Sequence, residues 1–337
     1  MNHHIGRGGH LSSQPMGALR DYISINPVTD RWAVVNFPIS PDNPYTIDLA
    51  ETAELIQEHR PELIIFGKSM VLHPEPIKEV AQMIAGIKPR PIIMYDTAHV
   101  LGLLGPYFQE PLSEGADIIT ASTHKTFFGT QRGVIASNMS EGTDYFELWE
   151  MIQRRAFPGS VSNHHLGTLL GLLMATYEMN SYGFDYQKRV IANAKAFASA
   201  LKAQGLQVEG DPDVNYTQTH QVILRVGYTK GIEVADRLEE NNIMVNYQAL
   251  PDDEAFSASS GLRMGVQEMT RFGMKEEDFG ELAEHIAEVI LRGKNVAQQV
   301  SNFRQRFTKM QYCLPEEQAK PLIDELMGGL TNQIIRI

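Results

Sequence analysis

Asp96 closes a short apolar run, Pro91-Ile92-Ile93-Met94-Tyr95, and His99 follows it three residues later; Lys125 stands directly after His124 at the end of another run, Ala116-Asp117-Ile118-Ile119-Thr120. A lysine amine becomes a nucleophile toward carbonyls when partial desolvation lowers its pKa. A carboxylate beside a pyridine nitrogen keeps that nitrogen protonated, so that the ring can take up electrons. These are the two requirements of pyridoxal 5'-phosphate chemistry. Taken singly, a strand-end aspartate is usually a helix cap and a loop lysine a solvated charge, so the weight of the pair depends on the elements that position it.

Those elements alternate. Leu49 to His59 has the pattern of an amphipathic helix, Leu63-Ile64-Ile65-Phe66 that of a buried strand, and Pro76 to Ile84 returns to a helical period. The runs ending at Asp96 and before Ser122-Thr123-His124-Lys125 are further strands, and Gly133-Val134-Ile135-Ala136 is a fourth. The pattern predicts an α/β unit with a mostly parallel sheet, in which polar residues just past the strand C-termini collect where open sheets bind ligands. A long helical stretch, Leu166 to Gln204, follows Phe157-Pro158-Gly159, with a break expected around Ser181-Tyr182-Gly183. Leu169, Leu170, Leu172, Leu173 and Met174 cover so much of this helix that they read as core. Strand patterns at Gln221–Val226 and Ile243–Asn246, with helices at Gly231–Asn241 and Glu276–Leu291, predict a smaller α+β domain. The expected division is a cofactor-binding large domain, residues 1–180, and a C-terminal small domain, 181–337.

Composition narrows the function classes. With 337 residues, 43% hydrophobic and 21% charged, the chain can bury a substantial core and reads as globular. A formal charge of −12, with 29 Lys and Arg spread along the chain, disfavours a nucleic-acid surface. The longest apolar run is too short to span a bilayer, no signal peptide is evident, and the single cysteine, Cys313, requires no oxidising compartment. The expectation is a cytoplasmic protein that binds neither membrane nor nucleic acid. His3 and His4 read as solvent-exposed terminal residues and Asp252-Asp253-Glu254 as a solvated turn; the adjacent His164 and His165 lack a third suitably spaced ligand, so no metal is expected.

The segment Tyr95-Asp96-Thr97-Ala98-His99-Val100-Leu101-Gly102-Leu103 resembles the D-x-A-H-V-x-G-L motif of serine hydroxymethyltransferases, and Ala116 through Thr126 resembles the same family's T-T-T-H-K-T segment. Arg7-Gly8-Gly9-His10-Leu11, Phe157-Pro158-Gly159 and Ser260-Gly261-Leu262-Arg263-Met264-Gly265 continue the resemblance in the family's order, from about His10 to Leu291. It implies a fold type I pyridoxal phosphate enzyme, an α/β large domain with a smaller C-terminal α+β domain. By the same carry-over Lys125 forms the internal aldimine, Asp96 pairs with the pyridine nitrogen, His10 stacks on the ring and also serves the substrate, and His99 lies near the phenolic oxygen. Ser69 and Ser122 contact the cofactor, His124 joins the catalytic set beside the lysine, and Arg263 holds the substrate carboxylate with its planar fork. The implied reaction is cleavage or formation of the Cα–Cβ bond of a β-hydroxy amino acid: serine and tetrahydrofolate to glycine and methylene-tetrahydrofolate. Fold type I sites are built across a dimer interface, which implies a homodimer.

Three departures qualify the carry-over. The family's N-terminal arm, with its Ser-Gly-Ser type phosphate loop and the Tyr and Glu that serve substrate and folate, precedes the point where this sequence starts. Those groups are expected from a longer chain or another subunit, or else the chain is an inactive partner subunit. After Phe157-Pro158-Gly159 the family's G-Q-G-G-P stretch is replaced by Ser160-Val161-Ser162-Asn163-His164, where Asn163 offers a side-chain donor to the phosphate in place of glycine backbone. In Val245-Asn246-Tyr247-Gln248-Ala249-Leu250-Pro251, Gln248 takes the place of an Asn that helps hold the pteridine. The last two favour, as the alternative, a folate-independent threonine aldolase or transaldolase.

Overall fold

The computed structural model describes residues 1–17, 19–20, 23–26 and 31–334. In chain order the strands are β1 (Ile25–Asn26), β2 (Arg31–Trp32), β3 (Leu63–Phe66), β4 (Ile92–Asp96), β5 (Ile118–Ser122), β6 (Gly133–Ser137), β7 (Gln207–Val208), β8 (Gln221–Arg225), β9 (Asn246–Gln248) and β10 (Gly261–Gly265). The helices are α1 (Leu49–His59), α2 (Ile77–Ile84), α3 (Pro111–Glu114), α4 (Phe146–Arg154), α5 (Leu166–Ala203), α6 (Gly231–Glu239), α7 (Gln267–Arg271), α8 (Asp278–Arg292), α9 (Ala297–Arg304) and α10 (Glu316–Ile334).

The first sheet has the order β3-β4-β5-β6, with β3, β4 and β5 parallel and β6 antiparallel to β5. Its apolar runs are buried, Ile64, Phe66, Ile93 and Tyr95 nearly completely, as parallel strands covered on both faces require. The helices that cover them start and stop on local signals: the Asp48 carboxylate accepts from the Glu51 amide at 3.0 Å to cap α1, and Arg60 in the left-handed region ends it. The chain's first residues extend this sheet. The Met1 amine donates to Leu63 O and Ile65 N to Met1 O, while Asn2 exchanges hydrogen bonds with Val35 and Phe37. The second sheet, β7-β8-β10-β9, is antiparallel throughout and backed by α5 and α6, on which α8 packs.

Two expectations about the long helix need correction. No break occurs at Ser181-Tyr182-Gly183: α5 runs unbroken for 38 residues, so residue 180 falls inside it. One glycine costs a helix only about 1 kcal/mol. Burial of Tyr186, Val190, Ala194, Phe197 and Leu201 along one face outweighs that, with Phe197 packed on Phe279 of α8 at 5.1 Å between ring centroids. Nor is the leucine-rich first half core: Leu166, Leu169, Leu170, Leu173 and Tyr177, a stripe at helical spacing, are exposed. The helical periodicity holds, but among the described residues nothing covers that face.

The strand expected at Ile243–Asn246 begins instead at Asn246. Asn242, at φ 64°, and Ile243 finish α6: the Ile243 amide donates to Leu238 O and its side chain is buried, so the apolar residue marks a helix end rather than a strand. The acidic turn is not merely solvated either. Asp252 pairs with Arg225, and Asp253 accepts from the amides of Leu250 and Ser260 and from the Ser260 hydroxyl, bracing the turn into β10.

His3 is likewise not a solvent-exposed terminal residue. It is 5% exposed, with Nε2 3.2 Å from Glu75 Oε2, and Lys68 Nζ lies 3.1 Å from the other carboxylate oxygen. Burial pushes the Glu75 carboxyl up, but Lys68 and His3 outweigh it and bring the pKa down to about 2 from an ordinary 4.5. A carboxylate depressed in the fold contributes stability above its unfolded pKa and loses it as pH falls through the folded value. Acid unfolding is therefore expected to draw on this group between about pH 4.5 and 2. Glu75→Gln, which leaves Lys68 buried without its counter-charge, should cost about 3–5 kcal/mol in denaturant titrations at pH 7 and remove that part of the acid limb.

Candidate active site

The parallel register sets Asp96 beside Thr120 and brings the C-terminal ends of β4 and β5 to one edge of the sheet. Asp96 is 8% exposed and its carboxylate makes three contacts, one short of the about four acceptor sites of a carboxylate: Oδ1 accepts from the Ala98 amide at 3.0 Å, and Oδ2 accepts from Ser12 Oγ at 2.5 Å and lies 3.0 Å from His10 Nδ1. Burial raises its pKa, and the His10, Ser12 and Ala98 contacts together lower it further than burial lifts it, leaving the group below the usual carboxylate range. The backbone behind it is close. A Cβ at Gly67, where φ is +130°, would fall 2.6 Å from Asp96 O, so the end of β3 must be glycine for β4 to finish there.

Lys125 follows β5 and is held by its neighbour. Thr126 Oγ1 donates to His99 O and accepts from the Gly102 amide, both at 3.0 Å, and the Tyr186 hydroxyl of α5 donates to Thr126 O at 2.9 Å. The loop after β4, the lysine segment and α5 are thereby stitched together. The Lys125 amine is half-buried; burial lowers its pKa, the Asp96 carboxylate opposes that, and Arg263 adds to it, with a net downward result. His99, partly exposed, has its pKa brought down to about 2, first by desolvation and then by Lys125 and Arg263, so its imidazole is neutral at any physiological pH. The rings of His10 and His99 meet edge to face with centroids 5.6 Å apart.

Arg263 reaches this edge from the other sheet. It lies on β10, and its Nη1 donates to Ser69 O, just past β3, at 2.9 Å. His99, His124, Lys125 and Arg263 line one cavity of about 720 Å³, together with Tyr186, His220 and Gln221. His124 is exposed at its wall. Ser69 adjoins it through its carbonyl, and Ser122, the last residue of β5, stands three residues before Lys125. Asn163 is not brought to the cavity. It lies in the exposed stretch before α5, and the hydrogen bond of its side chain is a local one from the His164 amide. His10 touches the Asp96 carboxylate edge-on, through Nδ1.

The sequence reading missed several members. Ser12 carried a usable signal, since it lies within the turn that begins at His10 and a hydroxyl there can reach the same carboxylate. Thr126 and Tyr186 act through backbone partners that no side-chain pattern reveals. His220 and Gln221 sit at the start of β8 rather than at a C-terminal strand end, so the rule for open parallel sheets does not point to them.

A profile of the family described as "Serine hydroxymethyltransferase" matches residues 1–286. A serine hydroxymethyltransferase of Archaeoglobus fulgidus is 42% identical over 321 residues, covering 93% of this chain and 68% of the relative. That of Pyrobaculum calidifontis is 40% identical over 328 residues, 96% of this chain and 72% of the relative. The chain belongs to the serine hydroxymethyltransferase family. A solved structure of L-threonine transaldolase from Pseudomonas fluorescens, in its internal aldimine state, matches with a TM-score of 0.82 at 30% identity, over 96% of this chain and 71% of that one.

This serine hydroxymethyltransferase relative therefore has the fold of type I pyridoxal phosphate enzymes and takes that cofactor. The site suits it on its own evidence. A carboxylate kept ionised is what a pyridinium nitrogen needs and a half-buried lysine with a depressed pKa is what a carbonyl needs; the lysine lines a cavity roomy enough for the ring, and the carboxylate lies beyond it against His10, whose ring meets that of the lining His99. Among the described residues no cluster of acidic, histidine or cysteine side chains could hold a metal ion, and no helix is long and apolar enough to cross a membrane.

Proposed function

We propose that the protein transfers the hydroxymethyl carbon of serine to tetrahydrofolate, giving glycine and methylene-tetrahydrofolate, and runs the reverse reaction. The observation that carries this is the convergence of Lys125, His99 and Arg263 on one cavity, with Asp96 joined to His99 through His10, in a chain of this family.

Pyridoxal phosphate, when bound, supplies an electron sink for the bond cleaved at the substrate α-carbon. The residues do the rest. Asp96 stays ionised and holds the ring nitrogen's proton, with Ser12 and His10 orienting the carboxylate. Lys125, its charge disfavoured by burial, offers an unprotonated amine to the cofactor's carbonyl carbon. Neutral His99 can give or take one hydrogen bond beside the ring without adding a charge. Arg263, with Nη1 committed to Ser69 O, presents its remaining donors to the α-carboxylate. Ser69, Ser122 and His124 are assigned to the cofactor's surroundings.

A second reading, a folate-independent threonine aldolase or transaldolase, is favoured by Gln248 in the pteridine position and by the likeness to the threonine transaldolase. Exchange of the glycine α-proton in deuterated water separates the two. Strong acceleration by tetrahydrofolate, with methylene-tetrahydrofolate made from serine, supports the first. Full exchange without folate, with acetaldehyde released from threonine, supports the second. Absence of exchange in the cofactor-loaded chain overturns both and leaves the inactive partner subunit.

The same reading supplies two further assignments, a cytoplasmic location and a homodimer. The exposed stripe Leu166, Leu169, Leu170, Leu173 and Tyr177 on α5, with Phe157 and Val161 just before it, is the surface on which two copies would pair. The double variant Leu169→Glu with Leu173→Glu should halve the mass measured by light scattering; an unchanged mass would remove that surface from the interface.

A further inference from the structure

Gln221 opens β8, is 2% exposed, and joins the small antiparallel sheet to the end of β3 with both halves of its amide. Its Oε1 accepts from the Val71 amide at 2.9 Å, and its Nε2 donates to Ser69 O at 3.0 Å. The same carbonyl accepts from Arg263 Nη1 at 2.9 Å. A carbonyl oxygen has two lone pairs, so Gln221 and Arg263 fill it between them. The register explains how they meet: Gln221 lies opposite Gly265, two residues from Arg263, which puts both side chains on one face of the sheet.

We propose that Gln221 is a positioning residue for substrate recognition, aiming the Arg263 fork at the α-carboxylate by fixing the Ser69 carbonyl that the guanidinium leans on. This rests on the assignment of Arg263 as the carboxylate ligand. The Arg263 side chain makes no other hydrogen bond among the described residues, so the direction of its fork depends on that one carbonyl. With Gln221 removed, the Ser69–Val71 loop keeps the bond from the Ser69 amide to Gly8 O but loses both bonds from the second sheet's glutamine, the one on the Ser69 carbonyl among them. The seam itself is held independently, because the Gln218 amide still donates to Leu72 O and the Thr219 hydroxyl to Val71 O. The loss therefore falls on aim rather than on folding.

The test is titration of the cofactor-loaded protein, followed by its visible spectrum, with glycine and with methylamine, the same amine without a carboxylate. Gln221→Leu should weaken glycine about five- to tenfold while leaving methylamine and the melting temperature near those of the parent. Gln221→Glu keeps an acceptor for the Val71 amide but sets a carboxylate within reach of Arg263, so it should weaken glycine more than the leucine does. Equal losses for glycine and methylamine, or parental glycine affinity in Gln221→Glu, would overturn the proposal. Arg263→Lys is the control: unchanged glycine affinity in that variant refutes the carboxylate assignment itself, whereas a loss there with none in the Gln221 variants refutes only the role of Gln221. If Gln221→Leu folds poorly, Gln221→Glu decides the question alone.

Discussion

Lys125→Ala is expected to remove the visible absorbance that added pyridoxal phosphate gives the parent protein and to reduce turnover by roughly three orders of magnitude or more, the scale of losing a covalent participant. The physical basis is the environment of the amine. Half-burial lowers its pKa, Asp96 partly restores it, and Arg263 lowers it again, so the unprotonated form is easier to reach than in a solvated lysine. The variant should nevertheless fold, because the segment is anchored by Thr126, bonded to His99, Gly102 and Tyr186, and not by the lysine side chain. Retention of the visible band and of turnover in Lys125→Ala would refute the assignment, and a collapsed melting temperature would show up separately by calorimetry.

Asp96→Asn is the second large effect. The side chain keeps its shape but loses the charge that holds a ring nitrogen protonated, and in a buried site the loss of one partner of an ion pair is worth about 3–5 kcal/mol, or roughly 10²–10⁴-fold in turnover. Binding of the cofactor should weaken much less than turnover. The amide also presents an NH2 group where Oδ2 now accepts from Ser12 and faces His10, so one donor–donor contact must rearrange. The pH dependence follows from the sign of the shift. Because Asp96 is held below the ordinary carboxylate range, its charge persists on moderate acidification, and parent activity should not fall at pH 5 for want of this carboxylate. An Asp96→Asn protein with parental turnover would show that the carboxylate does not serve the ring.

Much of the site was legible because it depends on a rule linking sequence to place: polar residues that close apolar strands of a parallel sheet gather at one edge. Asp96, His99 and Lys125 obey it, and the structure brings all three to one edge. Arg263 belongs to a different sheet, and only the family resemblance pointed to it. What could not be read depends on long-range packing. The leucines of α5 have the periodicity of a buried face whether the covering surface is this chain or another, and Gly183 reads as a breaker until Tyr186, Val190 and Phe197 are seen packed beside it. His3 looked like a terminal residue because its partner Glu75 is distant in sequence, and Gln221 acts through two backbone groups that carry no side-chain signature.

The unbroken course of α5 has a mechanical consequence. At 1.5 Å per residue its 38 residues make a rod about 57 Å long. Its first half bears the exposed leucine stripe, its middle contributes Tyr186 to the lysine segment, and its last turns pack on α8 and the second sheet. Having no hinge, the rod acts as a lever: a tilt of 1° displaces its far end by about 1 Å. A shift that carried Arg263 toward or away from Lys125 would thus be felt at the leucine stripe, and torque applied there would be felt at the cavity.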